Sequence, residues 1–221
     1  MKNVKIISIK NATHDVMHIE TEKPQGLSYI PGQAVDVALD KPNWEKELRA
    51  FTFTSLPSDE YLEFFIKVYP EHKGVTDQIS KLKEGDSLSI GDVFGDIKYQ
   101  GEGVFIAGGA GITPFIAILK QLKKENRIGE NKLIFANKTE ADIIEQGNLN
   151  NMLGKNFLNV LSEEEKDGFE HGYITKELIK AQIQNNNSYF YLCGPPPMMN
   201  AVINHLKELG IVDDRVIKEQ F

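Results

Sequence analysis

Apolar positions in the first hundred residues follow the two-residue period of short β-strands. Val4 and Ile6 alternate with polar residues, and Val16 opens a second alternating run after a polar break at 11–15, which predicts a hairpin. Further strands are predicted at residues 34–39, 50–53, 62–68 and 87–90, and one helix at 75–82. Turn signals rich in glycine and proline separate these runs. Regular short strands of this kind predict a small antiparallel barrel or sandwich.

From Gly101 onward the pattern changes to strand, glycine turn and helix. The predicted strands are 104–107, 132–136, 157–161 and 189–193, and the predicted helices are 114–125, 174–183 and 198–209. Strands that alternate with helices imply a parallel sheet covered by helices on its faces. We therefore predict two domains, an antiparallel β domain over residues 1–100 and an α/β domain over residues 101–221.

The composition limits the possible binding partners of the protein and its cellular compartment. Hydrophobic residues make up 41% of the 221 residues, enough for a core, and the net charge of -7 argues against nucleic-acid binding, which needs clustered cations. The single cysteine, Cys193, excludes an internal disulfide and a cluster held by about four thiolates. The sequence shows neither a signal peptide nor an apolar run of about 18 residues. We expect a cytoplasmic protein without a membrane span and without a metal site.

A glycine turn marks the start of the second half. Gly108, Gly109, Ala110 and Gly111 follow a predicted strand, and Thr113 and Pro114 suit the N-cap and first position of the next helix. Glycines let the backbone approach a ligand, and a helix N-terminus favours a pyrophosphate. The segment is similar to the dinucleotide fingerprint, with Pro114 at the place of the third glycine. A tight turn without a ligand is the alternative.

A second glycine turn follows the strand predicted at 189–193. Cys193 and Gly194 lead into three prolines and Met198, and a helix is predicted next. Ligands in open α/β sheets bind beyond the carboxyl ends of the strands, so we expect both turns to line one crevice. The alternative for Cys193 is a small buried apolar side chain, the common fate of a lone cysteine.

Taken together, these motifs resemble the ferredoxin–NADP(+) reductase family. Residues 49–55, Arg-Ala-Phe-Thr-Phe-Thr-Ser, resemble its flavin motif Arg-x-Tyr-Ser/Thr-x-x-Ser, and Pro31-Gly32-Gln33 resembles the barrel turn before it. Residues 108–114 and 193–199 resemble its two dinucleotide turns, and residues 219–221 resemble its acidic-x-aromatic ending. The resemblance covers nearly the whole chain. It implies an N-terminal six-stranded antiparallel flavin-binding β-barrel, a C-terminal α/β parallel-sheet NAD(P)-binding domain, and a flavin in the cleft between them.

The resemblance implies roles for residues of the barrel. Arg49 would hold a flavin phosphate through charge-assisted hydrogen bonds, and Phe51 would lie against the flavin ring where the family usually has tyrosine. Thr52 would place its hydroxyl near flavin N5, the hydride acceptor. We expect Phe53 to pack inside the strand layer instead. The other implied flavin contacts are Ala50, Lys67, Val68, Gly74, Val75, Thr76 and the C-terminal Phe221.

The resemblance also implies roles on the nicotinamide side. Cys193 would border the transferring carbon in a positioning and electrostatic role, and Glu219 would approach from the C-terminus to relay protons or steady charge. Thr52, Cys193 and Glu219 are therefore the catalytic candidates, and Tyr173 is the candidate for stacking on adenine. The dinucleotide contacts implied are Gly109, Gly111, Thr113, Pro114, Ser162, Glu163, Tyr173, Gly194, Pro195 and Met198.

We expect FAD as the bound flavin, with FMN as the alternative, and NADH or NADPH as the co-substrate. NADP-selective members of the family carry Ser-Arg where this chain has Ser162-Glu163, and a carboxylate repels a 2′-phosphate, which favours NADH. Lys138 and Lys166 could reach a 2′-phosphate, so NADPH remains the alternative co-substrate. The expected acceptor is a separate protein such as a ferredoxin, a flavodoxin or an oxygenase component. Two other functions stay open: a reductase of free flavin or another small acceptor, and a non-catalytic nucleotide-binding regulatory subunit.

Overall fold

The fold consists of two six-stranded sheets that follow one another along the chain. The structure is a computed structural model that describes residues 1–183 and 188–219. The first sheet contains β1 (Lys2–Asn11), β2 (Val16–Glu22), β3 (Ala34–Leu39), β4 (Arg49–Thr52), β5 (Tyr61–Lys67) and β6 (Ser87–Phe94). Its strand order is β4-β3-β6-β1-β2-β5, and every neighbouring pair is antiparallel.

The first sheet closes on itself into a barrel. Just after β4, the Thr54 amide donates to the Glu63 carbonyl of β5 at 2.9 Å, which joins the two edge strands. The interior is filled by apolar side chains that point inward at alternate positions, among them Ile19, Val35 and Phe64. Phe53 belongs to this interior: it is fully buried and stacks on Tyr29 with a centroid distance of 4.2 Å, so its predicted packing role is confirmed.

The second sheet is parallel in the order β10-β9-β8-β7-β11-β12. Its strands are β7 (Gly103–Gly108), β8 (Lys132–Asn137), β9 (Phe157–Leu161), β10 (Glu170–His171), β11 (Tyr189–Cys193) and β12 (Val216–Lys218). Every residue of the central strand β7 is buried, because layers cover both of its faces. The predicted fold class, an antiparallel barrel followed by a parallel α/β sheet, is confirmed.

The described residues form five α-helices beside the sheets: α1 (Val75–Ile79), α2 (Thr113–Lys124), α3 (Gln146–Leu153), α4 (Lys176–Gln182) and α5 (Pro196–Glu208). Helix α1 is shorter than predicted, and α3 was not predicted. The N-cap assignment of Thr113 is wrong: Thr113 is the first helical residue, and a 3-10 turn at Gly109–Ile112 precedes it. None of the helices in residues 1–183 and 188–219 combines the length and the apolar character that a bilayer crossing needs.

Helix α2 packs between the barrel and the parallel sheet. Its residues Phe115 and Leu119 pack in one cluster with Phe105 of β7 and with Val16 and Phe65 on the outer surface of the barrel. The helix therefore buries apolar surface against the parallel sheet and the barrel at the same time. Gly32 strengthens this contact from the barrel side, because it approaches so closely that a Cβ would lie 2.4 Å from the Ile97 carbonyl oxygen.

Candidate functional site

The two glycine turns of the second domain lie against one another. They end the neighbouring parallel strands β7 and β11, where Ala107 pairs with Cys193. A Cβ on Gly111 would lie 2.3 Å from the Cys193 carbonyl oxygen, and a Cβ on Gly194 would lie 3.0 Å from the Gly108 nitrogen. Only glycine permits such a close backbone approach. The structure thus brings together the two turns that the sequence predicted to share a crevice.

The first turn leaves room for a ligand. Gly109 has a left-handed backbone with φ of 52°, and no atom lies within 4 Å of the place where its Cβ would be. The Thr113 hydroxyl donates to the Ala110 carbonyl at 3.0 Å, which stabilises the turn instead of capping the helix. Pro114 is buried at the start of α2. An open backbone before the N-terminus of a 12-residue helix fits a pyrophosphate.

The second turn presents a neutral thiol. Cys193 is half-buried, and Pro195 and Met198 follow it at the start of α5. Burial raises the pKa of the Cys193 thiol to about 12, and the nearby Glu219 carboxylate contributes in the same direction. The thiol therefore stays protonated at neutral pH, which agrees with a positioning role and disagrees with a nucleophilic one.

Glu219 brings the C-terminal segment back to the barrel. It follows β12, and its Oε2 accepts a hydrogen bond from the Asp96 amide at 3.3 Å. Its Oε1 lies 3.3 Å from the place where a Cβ of Gly95 would be, close to the backbone of Ala34. The carboxylate thus contacts the barrel while it influences the Cys193 thiol of the second domain.

The flavin-motif strand ends beside this carboxylate. Thr52 of β4 pairs with Ala34 of β3, and Ala34 pairs on its other side with Phe94 of β6, directly before Gly95. Thr52 is half-buried at this strand end. Glu219 therefore links the barrel near the end of the flavin-motif strand to the Cys193 thiol of the parallel sheet. Phe221, which the resemblance places over the flavin, lies outside the described residues.

The rest of the flavin motif divides into exposed and buried members. Arg49 and Ala50 are exposed; the Arg49 Nη1 donates to the Leu48 carbonyl at 2.7 Å, and Nη2 lies 3.8 Å from a Glu47 oxygen. Phe51 is half-buried and packs against the barrel interior. Ser55 is fully buried, where its hydroxyl accepts from the Glu63 amide at 3.0 Å. The exposed guanidinium fits an anionic group, and the buried residues hold the strand that carries it.

The other barrel candidates lie around the end of β5. Lys67 pairs with Asp15 at 2.7 Å, and the Val68 amide donates to the Asp15 carbonyl at 2.8 Å. Both residues are therefore fixed to the β1–β2 hairpin. Gly74 precedes the one-turn helix α1 with open space beside it, Val75 is buried, and Thr76 Oγ1 accepts from the Tyr69 amide at 3.3 Å.

The candidates for the adenosine end lie on the surface. Ser162 donates from its amide to the Asn137 carbonyl at 3.0 Å. Glu163 forms an ion pair with Lys138 at 3.0 Å, and Lys166 pairs with Glu140. The Tyr173 side chain is 81% exposed.

The structure also shows polar residues that the sequence interpretation missed. Asn137 ends β8 at the carboxyl edge of the sheet; it is buried, and neither polar atom of its side chain has a hydrogen-bond partner among the described residues. Its position directly after the strand predicted at 132–136 was a signal that could have identified it.

A largely buried polar cluster between the barrel and α2 was missed as well. It consists of His18, Thr54, Glu63 and Lys120, and we call it the interdomain cluster. Glu63 Oε2 contacts the Lys120 ammonium at 2.5 Å and the Thr54 hydroxyl at 2.8 Å, and Oε1 lies 3.0 Å from His18 Nε2. Burial alone would raise the pKa of Glu63, but the contacts with His18, Lys120 and Thr54 outweigh it and lower the pKa to about 2. The carboxylate is therefore ionised.

Comparisons with known proteins agree with this geometry. Residues 1–126 match the model of a FAD-binding domain, and residues 105–204 match that of an oxidoreductase NAD-binding domain. The FAD/NAD binding domain of a nitric oxide dioxygenase from Vibrio cholerae superposes with a TM-score of 0.88 at 21% identity, over 100% of this chain and 98% of that one. The fold and the two matched models define an oxidoreductase that combines a FAD-binding domain with an NAD-binding domain.

Curated relatives extend the comparison. The toluate 1,2-dioxygenase electron transfer component of Pseudomonas putida is 26% identical over 93% of this chain and 62% of its own length. NADH-cytochrome b5 reductase 1 of Mycosarcoma maydis is 31% identical over 78% of this chain and 57% of its own length. The chain thus spans less than two thirds of these relatives. It belongs to the ferredoxin–NADP(+) reductase family of flavoprotein oxidoreductases, as its motifs predicted.

Proposed function

We propose that this protein takes a hydride from a reduced nicotinamide dinucleotide onto a bound flavin and passes the electrons to a separate acceptor protein. The observation that carries the proposal is that the two glycine turns abut at Cys193, whose thiol is influenced by the Glu219 carboxylate, and that Glu219 contacts the barrel near the end of the flavin-motif strand. A bound flavin supplies the redox chemistry, since it accepts two electrons and releases them singly. The protein supplies binding, orientation and electrostatics.

The proposed flavin site uses the exposed Arg49 for a flavin phosphate, Phe51 for the ring face, and Thr52 as a hydroxyl at the reacting edge. The remaining contacts that we propose are those implied by the resemblance: Ala50, Lys67, Val68, Gly74, Val75, Thr76 and Phe221. The open space beside Gly74 and the exposed guanidinium support the two phosphate contacts. We propose FAD as the flavin, in agreement with the FAD-binding model that residues 1–126 match.

The proposed dinucleotide site runs from the glycine turns to the surface. Gly109, Gly111, Thr113 and Pro114 would hold the pyrophosphate, and Gly194, Pro195 and Met198 would flank the nicotinamide end. The protonated Cys193 thiol would orient the nicotinamide, and the Glu219 carboxylate would hold a proton or steady charge. We propose a domain boundary near residue 100, between the end of β6 and the start of β7, and a cytoplasmic location.

We further propose NADH as the preferred co-substrate. Ser162, Glu163 and Tyr173 would form the adenosine end, and a carboxylate there repels a 2′-phosphate but accepts a hydrogen bond from a ribose hydroxyl. The two lysines that could have attracted a 2′-phosphate support this choice, since Lys138 pairs with Glu163 and Lys166 pairs with Glu140.

The acceptor in this proposal is a protein such as a ferredoxin, a flavodoxin or an oxygenase component. The names of relatives support it, because one is the electron transfer component of a dioxygenase and another a reductase component of a monooxygenase. A free-flavin reductase and a non-catalytic regulatory subunit are outcomes that an experiment must separate from it.

Anaerobic mixing tests the proposal. The purified protein should be yellow, release FAD on denaturation, and lose its flavin absorbance when NADH is added. Electron transfer to cytochrome c should then require added ferredoxin or flavodoxin. A colourless protein that takes up neither FAD nor FMN overturns the proposal, and flavin that NADH and NADPH leave oxidised indicates the regulatory subunit. Faster turnover with free flavin than with any protein acceptor indicates the small-acceptor reductase.

A further inference from the structure

The interdomain cluster joins the two elements that must meet for hydride transfer. Lys120 lies on α2, about two helical turns after Thr113, and the dinucleotide turn leads directly into this helix. Thr54 follows Thr52, the last residue of β4, by two positions. A bond between Lys120 and Thr54 therefore connects the helix that presents one reactant to the strand that presents the other.

The contacts of Lys120 are directional. Its ammonium donates to the Thr54 carbonyl oxygen at 3.1 Å and to Glu63 Oε2 at 2.5 Å. The same Glu63 oxygen accepts from the Thr54 hydroxyl at 2.8 Å, and His18, stacked on Phe65, contacts the other oxygen. Residues of the barrel therefore fix the Glu63 carboxylate independently of Lys120.

Apolar packing alone would fix this interface less sharply. Around Lys120, residues such as Ile118 and Leu119 pack against the barrel through non-directional contacts. A charge-assisted hydrogen bond needs a short distance and a narrow range of angles. The apolar layer alone leaves the position and orientation of α2 on the barrel surface less well defined. The hydrogen bonds of the interdomain cluster define both.

We propose that Lys120 is a positioning residue, which sets the distance between the dinucleotide turn and the flavin motif by binding Thr54 and Glu63. The inference rests on the proposed function. It predicts a specific defect: without the ammonium, the dinucleotide still binds to its own domain, but its nicotinamide is held less well over the flavin. A misplacement of about 1 Å costs on the order of a hundredfold in rate.

Stopped-flow reduction by NADH tests the proposal on the flavin-loaded protein. The limiting rate constant for flavin reduction should fall at least tenfold in K120M, while the NADH dissociation constant stays within about twofold of wild type. K120R, which keeps the charge and the donors, should recover most of the rate. K124M is the matched control: Lys124 is exposed on the same helix and reaches across the same interface to Ser58 at 2.7 Å. Its rate should stay at the wild-type level.

Hydrogen exchange on the cofactor-free protein provides a second readout that needs no turnover. In K120M the amides of α2 and of residues 54–55 should exchange faster, and in K124M they should not. Wild-type rates in a folded K120M, or a loss of NADH affinity at unchanged rate, overturn the proposal. If K120M does not fold, K120Q takes its place with the same criteria. If wild-type flavin is not reduced by NADH or NADPH, the proposed function fails, and exchange alone decides whether Lys120 fixes the interface.

Discussion

The two ends of the proposed dinucleotide site are built in different ways. At the inner end, Gly111 touches the Cys193 backbone, and Glu219 bridges from one domain to the other. At the outer end, Glu163 and Lys138 form an ion pair on the surface, and Tyr173 is 81% exposed. Close backbone packing fixes the inner end, whereas exposed side chains form the outer end.

We expect the inner end to determine the rate of hydride transfer and the outer end to determine the choice between NADH and NADPH. Hydride transfer depends on a distance that must hold to a fraction of an ångström, so the inner end needs rigid backbone and buried bonds. Discrimination between two dinucleotides needs only a difference in charge near one phosphate, which exposed side chains provide at small cost. We therefore expect substitutions at the inner end to reduce the rate strongly, and those at the outer end to change the choice of co-substrate modestly.

The largest effect is expected at Gly111. In Gly111→Ala the new Cβ would lie 2.3 Å from the Cys193 carbonyl oxygen, a backbone atom that cannot rotate away, so the two turns must separate. We expect the rate of flavin reduction by NADH to fall on the order of a hundredfold or more. Gly147→Ala is the control, because that glycine lies in α3 with no atom within 4 Å of the new methyl group. An active Gly111→Ala variant would show that the contact between the turns is dispensable.

The interdomain cluster is expected to make the stability of the folded protein sensitive to acid. The pKa of Glu63 is lowered from 4.5 to about 2 in the folded protein, so its contribution is complete above pH 4.5 and is lost as the pH falls toward 2. This contribution is on the order of 3 kcal/mol. Urea denaturation should show wild-type stability declining below about pH 4.5 more steeply than that of Glu63→Gln. In a Glu60→Gln control the wild-type slope should persist; equal slopes in all three proteins would contradict the assignment.

Much of the site was predictable because its signals are local. Glycines at 108, 109 and 111 directly after an apolar run, and Cys193 directly after another, predict the turns and their places at the carboxyl ends of the strands. Parallel pairing of β7 with β11 then brings the turns together without further information. Strands 34–39, 157–161 and 189–193 have the predicted extents for the same reason, since burial on alternate or successive positions is visible in the sequence. The last strand of the barrel is longer than predicted, and the short edge strands β10 and β12 of the parallel sheet were not predicted.

The missed features depend on tertiary contacts or on weak local signals. Helix α3 contains Gly147 and three asparagines, which are poor helix formers, and it is stabilised by burial of Leu149 and Leu153. Lys120 and Glu63 are 57 positions apart, so only the docking of α2 on the barrel shows that they pair. Thr113 is itself helical, and its hydroxyl donates to the Ala110 carbonyl of the preceding 3-10 turn, a contact that the local sequence does not reveal.

A smaller effect is expected when the thiol at the inner end is removed. Cys193→Ala should slow flavin reduction about tenfold and leave the dissociation constant for NADH nearly unchanged, because in our proposal the thiol orients the nicotinamide instead of binding it. The pH profile of the wild-type rate provides the check. With the thiol pKa raised to about 12, the rate should be insensitive to thiol ionisation between about pH 6 and pH 9. A rate that rises with an apparent pKa near 9 would indicate a reactive thiolate.

The smallest effect is expected at the outer end, where Glu163 is exposed and paired with Lys138. Glu163→Gln removes a charge that repels a 2′-phosphate and releases Lys138 to attract one. Because solvent screens both interactions, we expect only about a fivefold gain in kcat/KM for NADPH. The value for NADH should stay within about twofold. Glu165→Gln makes the same charge change at an exposed neighbour, and an equal gain there would mean that overall charge, not Glu163, determines the choice.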